Sequence, residues 1–278
     1  PAETGSDAGK RKPMMHHRLC AIVAALAITH PAFCDTAYVK PSTFAPQVNQ
    51  TLTLEAAFSD ICCEPRHPVQ AESYAVITPD GKQRMPDRIE AFSTMTVLEH
   101  TITQDGTTRF TTGERLGRKG EYVLLDGTYH LVNSPDAAPI VIPAGTPILT
   151  SQTATVSDAY DTAGPAPWET VRFAIGRLRI EPVLHPNDVS TGAAFTARVT
   201  FDGAPVANQA IVLTSEAQRL RGEDGQMART DEYGAFSIAL SDPGIALLMT
   251  RLQAPAPDGA QTDIRSYTTS LTIEVSGN

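Results

Sequence analysis

The chain has 278 residues, of which 41% are hydrophobic and 19% charged, and its formal net charge is −9. That length suits one large domain or two modest ones, and the composition excludes a chain kept disordered by charge repulsion. The acidic balance repels phosphate backbones, so nucleic acid is not an expected partner, whereas cations and basic surfaces are compatible with it.

Met14-Met15-His16-His17-Arg18 followed by the apolar run Leu19 to Ile28 reads as a signal peptide: a positive start, then a stretch too short to cross a bilayer. Residues 1–13 are read as preceding the natural start. Ala32 and Cys34 fit the small residues of a cleavage site that leaves Asp35 as the mature N-terminus. A lipoprotein would instead acylate Cys34, but Pro31-Ala32-Phe33 lacks the usual lipidation pattern. Loss of residues 1–34 removes Lys10, Arg11, Lys12 and Arg18 with Glu3 and Asp7, taking the net charge to about −11. No later run of roughly 18 apolar residues follows. The expected product is periplasmic or secreted and has no transmembrane anchor.

From 35 to 157 short period-two runs predict an N-terminal β domain: Leu52 to Ala56, Tyr74 to Thr78, Tyr122 to Leu125 and Tyr129 to Val132. Pro79-Asp80-Gly81, Gln104-Asp105-Gly106 and Asp126-Gly127 supply the turns between them. Residues 158–176 are rich in small residues, Gly and Pro and read as a linker, with a brief helical turn expected over Glu169 to Ile175. From 177 to 278 the alternation sharpens in Leu178 to Val183, Phe195 to Phe201, Ala210 to Thr214 and a closing strand Ser266 to Val275, predicting a compact β-sandwich.

The order and spacing of Tyr38 to Phe44, Leu184-His185-Pro186-Asn187-Asp188, Phe201 to Val206, Arg229 to Phe236 and Ser266 to Leu271 resemble the periplasmic proteins of domain-of-unknown-function family 4198. The resemblance covers most of residues 35–278 and is strongest after Gly176. It implies a secreted all-β protein whose second domain is immunoglobulin-like, in a family some of whose members are associated with nickel or cobalt uptake. Metal-associated members often carry a His at the mature N-terminus. Asp35-Thr36-Ala37 stands there in this chain, a departure from that pattern.

Cys62-Cys63 is the most unusual local feature, because signal cleavage leaves these two adjacent thiols in an oxidising compartment. They can close a vicinal disulfide, pair between chains, or join Glu64 and His67 as ligands to a thiophilic divalent transition metal. Oxidation is the default, and a metal site of Cys62, Cys63 and His67 is the sharper reading. His67, His100, His130 and His185 otherwise form no close pair, and no His-Glu-x-x-His or Cys-x-x-Cys spacing occurs.

No Gly-x-Ser-x-Gly elbow or Ser-x-x-Lys arrangement stands between a strand and a helix. Gly113 to Gly120 lacks phosphate-loop and dinucleotide spacing and reads as a solvated hairpin loop. Glu223-Asp224 and Asp231-Glu232 lack the alternating oxygens of a calcium loop, and Trp168, the single tryptophan, is expected to pack between domains. The protein expected from all this is all-β, with two β-sandwich-like domains, and is a non-catalytic periplasmic accessory or binding protein. Transition-metal uptake is the concrete version of that role. The alternative is an envelope structural or interaction module facing an outer-membrane partner, and a hydrolase with residues from separate loops ranks last.

Overall fold

The computed structural model describes residues 35–132 and 140–277. The expected signal peptide, its cleavage after Cys34 and the lipidation reading of Cys34 lie outside them. The described residues form nineteen strands and one six-residue helix, so the fold is all-β.

Period-two patterning places strands where it occurs. Thr51–Ser59 buries Leu52, Leu54 and Ala56 on one face, and Ala194–Phe201 buries Phe195, Ala197 and Val199. Asp126 and Gly127 both take positive φ, 48° and 76°, in the two-residue turn joining strands Arg115–Leu125 and Thr128–Leu131. An Asp-Gly pair suits such a turn because both residues tolerate left-handed backbone.

Three sheets result. A five-stranded sheet is built on Thr36–Pro41, Thr51–Ser59, Thr96–Thr101 and Arg88–Ala91 in that order, and a four-stranded sheet on Leu178–Pro182, Ala194–Phe201 and their neighbours. The ten-stranded sheet between them takes strands from Ala75–Ile77 through to Ile264–Val275. Its junction is the parallel pairing of Leu149–Ala163 with Ile264–Val275, running from Ser151 opposite Ile264 to Ala159 opposite Thr272.

The large sheet is covered on both faces. Strand Leu149–Ala163 sends Ala159 and Ala163 into one core with Val39, Leu54 and Phe110, and sends Ala154 and Tyr160 into the other with Phe195, Leu248 and Tyr267. Odd and even positions of one strand point to opposite faces, so the two sandwich-like layers share this sheet as their common wall. Strands Gly106–Thr111 and Ile264–Val275 are accordingly buried at nearly every position rather than at alternate ones.

Three local expectations are corrected. Of the expected linker 158–176, residues 158–163 complete strand Leu149–Ala163 and pair with Gly106–Thr111, with Ala159 and Ala163 buried on one face and Tyr160 on the other. The helical turn falls one residue early: Arg172 N–H donates to the Trp168 carbonyl at 3.0 Å. Gly113 to Gly120 is no solvated loop; Arg115–Leu125 is a strand, and a Cβ on Gly117 or Gly120 would press on Thr153 or Ser151 of the adjoining strand. The helix Glu216–Arg221 was not expected, although Ser215 caps it by accepting from Gln218 N–H at 3.1 Å and Gly222 ends it in left-handed conformation. The Ser-x-x-Gln spacing followed by Gly is the signal that marks it.

Candidate functional site

Cys62 and Cys63 follow strand Thr51–Ser59 and are bonded to each other, the first of the three fates open to them. Both are buried against Tyr38, Ala57 and Leu247. Bonded sulfurs are not the thiolates a metal ion requires, so in this state they are not ligands. His67 lies on the short strand His67–Pro68, exposed and opposite Phe58, and Glu64 is 3.7 Å from Arg219. Among the described residues no group of three His, Cys, Asp or Glu side chains is placed to hold a metal ion.

The other histidines are dispersed. His100 is buried with Nδ1 3.4 Å from Asp87, and burial pulls its pKa down despite that carboxylate. His130 is half-buried in strand Thr128–Leu131. His185 is the one that meets a hydroxyl: its Nε2 is 3.2 Å from Thr107 Oγ1, and its Nδ1 accepts the Asn187 backbone N–H at 3.2 Å. An accepting Nδ1 places the proton of the neutral ring on Nε2, so that nitrogen is no base for Thr107. Asn187 continues the network, receiving the Thr162 hydroxyl at 2.8 Å and donating to the Tyr160 carbonyl at 2.7 Å. The motif Leu184 to Asp188 is thus a staple between the first residues of the second half and the shared sheet.

A concavity lies where the shared sheet, the helical turn and the four-stranded sheet meet. It has a volume of about 260 Å³. Its floor is Arg109, 4% exposed, whose Nε and Nη2 donate to the Asp158 carboxylate at 3.0 and 2.6 Å. Arg109 also donates through Nη1 to the Phe173 carbonyl, tying the turn to the sheet, and its guanidinium carbon sits 5.4 Å from the centre of the Tyr160 ring. Burial pulls the Arg109 pKa down, but the neighbouring Asp158 charge outweighs it and the net shift is upward. Burial raises the Tyr160 phenol. Both side chains hold their charge states across the physiological range.

Three further arginines line the cavity: Arg172 on the turn, Arg179 on strand Leu178–Pro182 and Arg198 on strand Ala194–Phe201. Arg179 Nη2 is 3.2 Å from Glu181, while its Nε–H is buried without a hydrogen-bond partner. Arg172 lies over the Trp168 ring, 5.5 Å from its centre, and Trp168 in turn packs edge-to-face on His185 at 5.1 Å and against the core of the second half. Apolar walls come from residues such as Val171, Ile175, Ile180 and Pro182. Sequence reading missed this site. An Arg inside the otherwise uncharged strand Gly106–Thr111 was its one local signal, since a buried Arg needs a buried carboxylate.

Among the described residues no helix is long and apolar enough to cross a membrane. The family described as a domain of unknown function, DUF4198, matches residues 32–254. No curated protein matches the chain. Among solved structures, the D0-D1 domain of Intimin is similar at 11% identity and a TM-score of 0.22, over 87% of this chain and 99% of that one. The adhesin InvE of Yersinia pseudotuberculosis follows at 13% identity and 0.20, over 85% of this chain and 58% of that one. The amphioxus IgVJ-C2 molecule is similar at 10% identity and 0.19, over 84% and 99%.

Proposed function

The chain belongs to the DUF4198 family, and from that premise we propose that it is a non-catalytic binding protein of the cell envelope, periplasmic or secreted, which takes a small ligand into the arginine-lined cavity. The observation that carries this reading is the cavity itself, about 260 Å³ of concave, mixed polar and apolar surface with a rigid Arg109–Asp158 floor. Export rests on the signal-peptide pattern of residues 14–34. The non-catalytic part is supported by His185, whose Nε2 beside the Thr107 hydroxyl carries the ring proton.

A thermal-shift screen of small molecules on the wild type and on Val183→Trp tests the reading. Val183 is exposed at the cavity, so the indole blocks the mouth without disturbing the core. A ligand that binds the folded state raises the melting temperature by mass action. Stabilisation of the wild type that Val183→Trp abolishes supports the proposal; stabilisation equal in both, or in neither, removes it.

One observation favours the interaction-module reading. Arg88–Ala91 is the outer strand of the five-stranded sheet, exposed at all four residues, and Met85 and Phe92 beside it are 56% and 51% exposed. An uncovered edge of this kind suits strand addition by an envelope partner, and crosslinking in the native envelope through this strand is its test. Nickel or cobalt uptake, the family association, rests on Cys62 and Cys63 in their reduced state together with His67.

A further inference from the structure

The chemistry lining the cavity names a class of ligand, an inference that rests on the cavity being the binding site. Four arginines face two carboxylates there, in a chain whose net charge is −9. Asp158 is engaged with Arg109, and Glu181 is divided between Arg179 and the Thr200 hydroxyl, which it receives at 2.8 Å. Among the described residues neither Arg172 nor Arg198 has a carboxylate partner. The arginines lining the cavity therefore outnumber its carboxylates by two, and this local positive charge draws anions against an acidic surround.

Among the described residues Arg179 has only its Nη2 engaged, 3.2 Å from Glu181, and its side chain is partly exposed at the cavity. Guanidinium forks match the two oxygens of a carboxylate or the oxygens of a phosphate. The remaining wall favours an organic anion over inorganic phosphate: Val171, Ile175, Ile180 and Pro182 offer surface that a bare inorganic anion cannot cover and a carbon body can. The volume lies just below the ~300–1,000 Å³ of drug-sized sites, so the ligand is small.

We propose that the cavity binds a small organic carboxylate, its carboxyl group held by Arg172, Arg179 and Arg198 and its carbon body resting on Val171, Ile180 and Pro182. Trp168 reports on this directly, because it is the chain's single tryptophan and Arg172 lies over its ring. Titration of the purified protein with glutarate, with its neutral diamide glutaramide and with inorganic phosphate is followed by tryptophan emission. The same titrations are run on Arg179→Met and Arg198→Met, which keep the apolar stem and remove the charge.

Glutarate is expected to change the emission saturably and glutaramide is not. The glutarate affinity is expected to fall about tenfold or more in each variant, the loss of one charged hydrogen bond. Arg198 is exposed, so its variant keeps the fold even if Arg179→Met does not. Glutaramide binding as well as glutarate, glutarate affinity unchanged in Arg198→Met, or phosphate binding more tightly than glutarate would each overturn the inference. If no anion binds while a neutral compound still stabilises the wild type and not Val183→Trp, the carboxylate class falls and the proposed function stands. If nothing binds, both fall.

Discussion

Arg109 and Asp158 lie one step diagonally across two antiparallel strands, Tyr160 being directly opposite Arg109 and Thr111 directly opposite Asp158, and two hydrogen bonds of 3.0 and 2.6 Å join them. Both are nearly inaccessible, 4% and 7% exposed. A buried pair of this kind is costly to break by halves, because the survivor is an uncompensated charge.

Asp158→Asn is therefore expected to lower stability by about 3–5 kcal/mol. Arg109→Met combined with Asp158→Leu leaves no buried charge and is expected to lose less than either single change. Urea unfolding of Asp158→Asn, of Arg109→Met and Asp158→Leu singly, and of the double variant checks this, and additive losses in the double variant would count against a buried pair.

Asp161 is fully buried on the opposite face of the same strand, and neither of its carboxylate oxygens has a hydrogen-bond partner. Burial, and then the Glu274 charge, pushes its pKa well above the ordinary value. A carboxyl with a raised folded pKa holds its proton more tightly in the folded state. Its contribution is complete below the unfolded value of about 3.9 and is lost as pH rises through the raised folded value. Asp161→Asn is expected to be as stable as the wild type in acid and more stable at neutral pH. Melting temperatures between about pH 4 and about pH 8 test this, and parallel curves would refute it.

The Cys62–Cys63 disulfide makes the metal reading conditional on redox state. The oxidised protein is expected to resist thiol labelling at both positions and to show no cysteine-dependent binding of nickel or cobalt. Calorimetric titration of oxidised protein, reduced protein and Cys62→Ser/Cys63→Ser separates the cases. Binding by the reduced protein alone, lost in the double serine variant, would establish the thiol site, while binding by all three would place the metal elsewhere.

Gly234 closes the turn after Asp231 with φ of 72°, and a Cβ there would stand 2.5 Å from the Val199 carbonyl oxygen. Gly234→Ala is expected to cost more than about 1 kcal/mol, since both the backbone conformation and the contact oppose a side chain. Denaturant unfolding gives the value, and a loss of a few tenths would contradict the tight approach.

By itself the amino-acid sequence determined the strands that alternate, such as Thr51–Ser59 and Ala194–Phe201, and the turns that reverse them, such as Asp126-Gly127 and Asp202-Gly203. These features are decided within a few residues, by the two-residue period of a half-buried strand and by the backbone freedom of Gly and Asp. The adjacency of Cys62 and Cys63 is equally local, but the sequence left open whether they bond to each other, pair between chains or ligate a metal. Only the tertiary structure decided that Ser151 lies beside Ile264, that one sheet serves both layers, and that Arg109 finds Asp158. Pairings across such long separations depend on which strands the whole chain brings together. In the Thr- and Ser-rich strands at the centre, a small hydroxyl side chain is acceptable on either face, so their sequence carries no period to say that both are buried.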